Sequence, residues 1–431
     1  MNNERKISTA GAGERDARGN CPPELVEPTE GALALPLMVL RARCRGWGSK
    51  VIRNALALSC VIALCSAAGG RSVTISNTAP RADAATGKLL DAHDGSVMRV
   101  NGTYYWWAMG YGDCDQTKSR GCDGVYGIGD CGFRDDHTIG LYTSADLASW
   151  TTVSADVLPK GGGRPEGVYY RVKVLLDEAS ARYVMWVNMV PRAGAARGGG
   201  NNNTGRMEYT KAVYVVASSA APAGPFRVEH DAAPGMGAGG AGDVSLLATL
   251  EQPQRAFVAY DAFNNLHKVG VEQLGPGFLS SMGASSGQVV SKDNNEAPML
   301  FGPRKGWYYL LFGKCCCFCK EGSGSRVWAA RDPRGPWIEQ PGGNINREGG
   351  GESGETIIQA QDSTVITVDF GAASGIEPVY IWTGDRWQSA PDQLKSHDLQ
   401  YWQPLVFNDT ASPPTIAPLS FVETFQLEVP R

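Results

Sequence analysis

Three acidic residues of this 431-residue chain each sit directly before or at the start of a short apolar run. Asp94 lies in "DAHDGSVMRV", Asp243 in "GGAGDVSLL" and Glu296 in "NNEAPMLF". Acid–base cleavage of a glycosidic bond needs two carboxyls flanking that bond, one protonated and one ionised. A third carboxylate nearby holds the acid's proton by like-charge repulsion. Taken singly, each of the three also reads as a turn residue, and spacing alone does not make them a site. They need a scaffold that brings distant segments together.

The chain from about residue 85 onward supplies a candidate scaffold. "GTYYWWAMG", "RYVMWVNMV", "RAFVAYDAF", "GWYYLLFGK", "STVITVDFG" and "PVYIWTGDRW" are apolar, aromatic and β-branched runs of strand length, bounded by Gly, Asp, Asn or Pro. No long stretch shows helical periodicity with caps. A second element recurs after several strands, as "YTSADLASW", "ASSAAPAGPF" and "AARDPRGPW". Such repetition predicts an array of similar β-units, most naturally four-stranded blades around an axis, with an irregular β-sandwich as the alternative. Blades focus the inner ends of their strands on one pocket, where carboxylates from different blades meet.

Net charge is −4 and only five His are present. No basic block interleaved with aromatics appears, which argues against nucleic acid as a partner. Residues 1–50 lack hydrophobic periodicity and read as disordered. Lys50 and Arg53 then precede an apolar run, so 51–70 reads as a signal peptide or signal anchor, the membrane-anchor alternative resting on 54–69. A linker is expected over 71–84 and the β domain over 85–431. Cys114, Cys122 and Cys131 share one loop, and Cys315, Cys316, Cys317 and Cys319 form "KCCCFCK". Disulfides stapling loops are expected, with connectivity left open. A zinc site is the weaker reading, because Cys316 and Cys319 have no second pair and no nearby His. The sequons at Asn101, Asn202 and Asn408 agree with a secreted or lumenal location.

Other prominent residues have structural readings beside functional ones. Trp106 and Trp107 share a strand, where alternation sends them to opposite faces. His93 is a candidate for the pocket or a satisfied buried histidine, and His267 reads as structural. Trp387 and Trp402 read as packing of the last blade, and Asp385 with Arg386 as an ion pair or turn.

"AHDGSVMRVNGTYYWWAMGYG", "YTSADLASW", "VKVLLDEASARYVMWVNMV", "AAPAGPFRV", "NNEAPMLF" and "WTGDRW" together resemble glycoside hydrolase family 43, nearest to its exo-β-1,3-galactanase-like members. The resemblance spans roughly residues 89–407. It implies an all-β, five-bladed β-propeller and an inverting, monomeric enzyme on a galactan-, xylan- or arabinan-type carbohydrate, with no cofactor and no catalytic metal. Glu296 matches the general acid, Asp243 the residue that tunes it, and Asp94 the usual general base. Galactanase-like members are thought to position water with a Gln from the last blade, and Gln361 in "AQDSTV" stands there. Asp94 is preferred as base, since a carboxylate takes a proton far more readily than an amide. Gln361, Arg171, His93 and Trp107 are then the candidate sugar ligands. One departure stands out. Tyr170 occupies the place of a Glu in the galactanase-like pattern, while Arg171 and Lys173 are kept; Glu166 is four residues out of register. A propeller that binds sugar without cleaving it is the alternative function.

Overall fold

The computed structural model describes residues 70–114, 133–161, 163–193, 206–235, 240–291 and 294–431. The segment 1–50 and the apolar run of 51–70, apart from Gly70, lie outside the described residues, as do Cys122 and Cys131.

Five antiparallel sheets follow one another along the chain, each with its strands in sequence order. Blade I comprises His93–Val100, Thr103–Gly110, Thr138–Ser144 and Thr151–Ser154. Blade II comprises Val168–Asp177, Arg182–Val190, Val213–Ser219 and Arg227–Ala232. Blade III runs through Ala241–Ala248, Ala256–Ala262, Lys268–Gln273 and Gln288–Val289, and blade IV through Asn295–Arg304, Trp307–Lys314, Arg326–Ala330 and Ile338–Asn344. Blade V has three strands, Gln361–Val368, Val379–Arg386 and Leu399–Pro404. The first strand of each blade faces the axis and packs against the first strands of its neighbours. This is a five-bladed β-propeller.

Local sequence explains the hairpins. Asn101 and Gly102 take φ of 48° and 85° between the first two strands of blade I, and Lys305 and Gly306 take 49° and 74° in blade IV. Positive φ at both central residues defines the type I′ turn, whose twist matches that of the flanking strands.

The core is distributed between blades. Each of five buried clusters fills one gap between adjacent blades. Strand alternation splits the aromatic pair as expected. Trp106 enters the gap between blades V and I beside Trp150 and Trp402, with ring centroids 5.1 and 5.6 Å away. Trp107 enters the gap between blades I and II, where its indole N–H donates to the Pro222 carbonyl at 3.2 Å.

The segment 71–84 is not a linker. Arg71–Ser76 pairs antiparallel with Thr424–Val429, from Arg71 opposite Val429 to Ser76 opposite Thr424. Ile75, Leu427 and Val429 are buried against blades V and I. Asn77 extends the tie, its side chain donating to the Trp402 carbonyl and accepting from the Trp402 N–H, both at 2.9 Å. A short polar strand carries little apolar signal, and its partner lies some 350 residues away, so neither local pattern nor periodicity marks it.

Candidate active site

The inner strand of every blade is interrupted near its start by a register shift: His93/Ser96, Tyr170/Val172, Ala241/Val244, Glu296/Met299 and Asp362/Thr364. A bulge re-aims a side chain that a regular strand would send into the next sheet. Asp94, Arg171 and Ala297 sit in these bulges with φ of 54°, 51° and 56°. The Asp-Gly step in blade I has a steric cause. A Cβ at position 95 would collide with the Trp107 carbonyl, so only glycine lets the bulge lie against its neighbour.

The five bulges converge on a cavity of about 250 Å³ lined by Asp94, Arg171, Asp243, Glu296 and Gln361, one from each blade. Arg171 is the hub. Its guanidinium lies 3.0 Å from Asp94 Oδ1 and 3.1 Å from Asp243 Oδ2, and also donates to the Asp362 carbonyl at 2.7 Å. Burial opposes its charge, but Asp243, Asp94, Asp385 and Glu296 more than offset that and hold it cationic. Asp94 Oδ2 accepts from the Tyr111 hydroxyl at 2.7 Å, and the Asp94 N–H donates to Asp385 at 3.0 Å. From below, Lys173 donates to the carbonyls of Asp94, Gly95 and Ser363 at 3.4, 2.5 and 2.9 Å. Burial, reinforced by Arg171, pulls the Lys173 ammonium down to about 7.

Glu296 is held differently. Its Oε1 accepts from the backbone N–H of Cys316, from that of Cys317 at 2.9 Å and from the Gln361 amide. Gln361 is in turn fixed by the Trp387 indole, which donates to its oxygen at 2.7 Å. Burial raises Glu296 to about 8, with the Asp243 charge as the next cause, against the two backbone donors that lower it. At neutral pH Glu296 is therefore protonated. With three donors on Oε1, the proton of the neutral carboxyl belongs on Oε2, which lies 3.3 Å from the Cys315 sulfur. Asp243 Oδ2 accepts from the Ala297 N–H at 3.1 Å, which ties it to the strand bearing Glu296.

Two predicted ligands are not in the cavity. Trp107 is fully buried between blades I and II, out of reach of any sugar. His93 is also fully buried, 3.3 Å from Asp385 and packed between Tyr111 and Trp387. Its neighbour Asp94 occupies the bulge and faces the axis, while His93 points back into the wall, held through Nδ1 by Asp385. Asp385 forms its contacts with His93 and Asp94 rather than with Arg386.

Other contributors were not read as site residues. Tyr170 lines the cavity, as do Asn188 and His267. His267 Nδ1 lies 2.9 Å from Asp261, which also accepts from the Asp243 N–H. Burial raises Asp261 to about 6, and the hydrogen bond to Asp261 raises His267 in turn. Phe133, Tyr209, Phe263 and Phe318 supply aromatic walls. They come from loops and single 3₁₀ turns, where no periodicity marks a pocket residue.

No family model matches the chain, and no curated protein does. Solved structures do. A glycoside hydrolase family 43 β-1,3-galactosidase superposes with a TM-score of 0.59 at 20% identity, covering 83% of this chain and 64% of that one. An exo-β-1,3-galactanase from Phanerochaete chrysosporium, solved with galactose, gives 0.57 at 20% identity, covering 83% and 69%. An exo-β-1,3-galactanase from Clostridium thermocellum gives 0.60 at 19% identity, covering 83% and 67%. The chain thus spans about two thirds of the length of these structures, and what it shares with them is the five-bladed propeller fold.

Proposed function

We propose that the protein is an inverting glycoside hydrolase that removes a terminal neutral sugar from a galactan-type glycan. The observation that carries this reading is the contrast between two carboxyl groups in one cavity. Glu296 is held protonated by burial and by Asp243, whereas Asp94 is paired with Arg171. Environments that drive two carboxyls apart are how a site assigns acid and base.

In the proposed reaction Glu296 gives its Oε2 proton to the glycosidic oxygen as the bond to the anomeric carbon breaks. A water on the opposite face of the ring attacks that carbon and loses a proton to Asp94. The product carries the inverted anomeric configuration, and solvent returns the proton from Asp94 to Glu296 after release. Tyr111 and Arg171 orient the base. Gln361, engaged at both ends of its amide, serves as a brace for Glu296 and a sugar contact rather than as the group that takes the proton.

Two features support the substrate class. The cavity is smaller than the roughly 300–1,000 Å³ of sites for drug-sized ligands, which suits a single ring at a chain end. Arg171, the guanidinium in the lining, is already paired with two carboxylates, and His267 with Asp261, so the lining favours a neutral sugar. Two of the superposed structures are exo-β-1,3-galactanases, which favours galactose among the neutral sugars. The Cys316–Cys319 disulfide supports a secreted or lumenal site of action.

The test is hydrolysis of aryl β-galactosides, β-xylosides and α-arabinofuranosides by wild type and Glu296→Gln, with the first-formed anomer read by proton NMR. Turnover with inversion that the substitution removes supports the proposal. Retention overturns the mechanism. Glycan binding without any turnover favours the non-cleaving propeller, a reading that draws on Tyr170 in the cavity wall.

A further inference from the structure

The cluster "KCCCFCK" has a place in the site that composition did not show. Cys316 and Cys319 form a disulfide, closing a ring around Cys317 and Phe318. Both enclosed residues have left-handed backbones, with φ of 47° and 63°, a region that neither a cysteine nor a phenylalanine favours. Both line the cavity. The two backbone amides at the start of this ring, those of Cys316 and Cys317, donate to one oxygen of Glu296. Outside the ring, the Phe318 carbonyl accepts from Gln388 at 3.0 Å and the Lys395 ammonium sits 3.4 Å from the Phe318 ring centroid.

A cross-link between residues three apart removes little entropy from the unfolded chain, because loop-closure stabilisation grows with loop length. Its consequence is local shape. Without the ring, two consecutive non-glycine residues would relax toward negative φ and carry the Cys316 and Cys317 amides away from Glu296.

We propose that the Cys316–Cys319 disulfide is a positioning device for the acid: it fixes the two amides that make Oε1 of Glu296 the carbonyl oxygen and leave Oε2 to deliver the proton. The inference rests on the assignment of Glu296 as general acid. Reduction by a dithiol would pass two electrons and two protons to the ring, giving two thiols and a cyclic disulfide of the reductant. The loop would then open and protonation of the leaving group would fail.

The test compares the full chain with Cys316→Ser/Cys319→Ser on two aryl glycosides of the same sugar. One releases unsubstituted phenol, which needs protonation, and the other releases dinitrophenol, which does not. The expected result is a fall in kcat of about tenfold or more on the phenyl glycoside, against less than about threefold on the dinitrophenyl glycoside. Equal losses on both would reduce the loop to a cavity wall and overturn the proposal, as would no loss on either. Glu296→Gln in the same assay separates the two readings. If its own loss is independent of the leaving group, the acid assignment fails rather than the role of the loop. Should the double variant not fold, Cys316→Ala/Cys319→Ala gives the same comparison: a selective loss on the phenyl glycoside supports the proposal, and a uniform one overturns it.

Discussion

Glu296 makes the site a measurable burden on the fold. Its carboxyl moves from 4.5, the ordinary glutamate value, to about 8 in the folded protein, first because it is buried and then because Asp243 is near. Between those two pH values the folded state holds a proton that the unfolded state has released. Stability therefore falls as pH rises from about 4.5 and levels off above about 8. At about 1.36 kcal/mol per pH unit, the whole change amounts to ~5 kcal/mol, of which ~3 kcal/mol is already present at pH 7. Glutamine in place of Glu296 has no proton to lose and presents an amide oxygen to the same three donors. The stability of Glu296→Gln relative to wild type should accordingly grow by ~4 kcal/mol between about pH 5 and pH 8.5, with most of the gain before pH 8. Urea unfolding across that range checks it, read as the shift in midpoint at constant slope. A difference that stays flat with pH would mean that Glu296 is ionised in the folded protein. That result would refute both the protonated-acid reading and the mechanism built on it.

Further outcomes follow from the same contacts. Asp243→Asn removes the second-largest cause of the Glu296 shift, so the alkaline limb of the kcat profile should move to lower pH by about one unit. Asp94→Asn should lower kcat by about 10²-fold or more, while Gln361→Ala should cost less in kcat and more in KM, measured on the phenyl glycoside; the reverse ranking would make Gln361 the residue that handles water. Trp107→Ala should destabilise by about 3–5 kcal/mol in urea unfolding, with KM unchanged in the folded fraction, because the indole fills a gap between blades. Ile75→Ala should cost about 2–5 kcal/mol by the same assay, because the Arg71–Ser76 strand belongs to the fold.

The blades were legible because their strands are long, aromatic and bounded by turn residues, and because the Trp106–Trp107 alternation has one geometric solution. The acids were legible through the order of motifs in the chain. What was not legible depends on which of two adjacent residues a bulge turns toward the axis. His93 and Asp94 are neighbours of equal polarity, yet only Asp94 takes positive φ and faces the cavity. Gly95 was the available signal, since an Asp-Gly step inside a strand marks a bulge or a close backbone approach. His267 was missed for the opposite reason. It lies just outside a strand in a loop, and its partner Asp261 is apolar-flanked and reads as core. The closing strand Arg71–Ser76 was missed because its evidence sits at the other end of the chain.

The way the cations are distributed bears on how the site holds together. Arg171 and Lys173 both come from the inner strand of blade II, Arg171 from its bulge and Lys173 two residues further on, and both reach blades I and V. Arg171 joins blade I to blade III through Asp94 and Asp243, and blade V through the Asp362 carbonyl. Lys173 joins blade I to blade V through main-chain carbonyls alone. No backbone ladder joins the inner strands of the five sheets, so carboxylates gathered at the axis would push the blades apart. Arg171 turns part of that repulsion into attraction by pairing with Asp94 and Asp243, while Asp385 and Asp261 lie against His93 and His267. Arg171 is shared by Asp94 and Asp243, and burial beside Asp243 raises Glu296 to about 8.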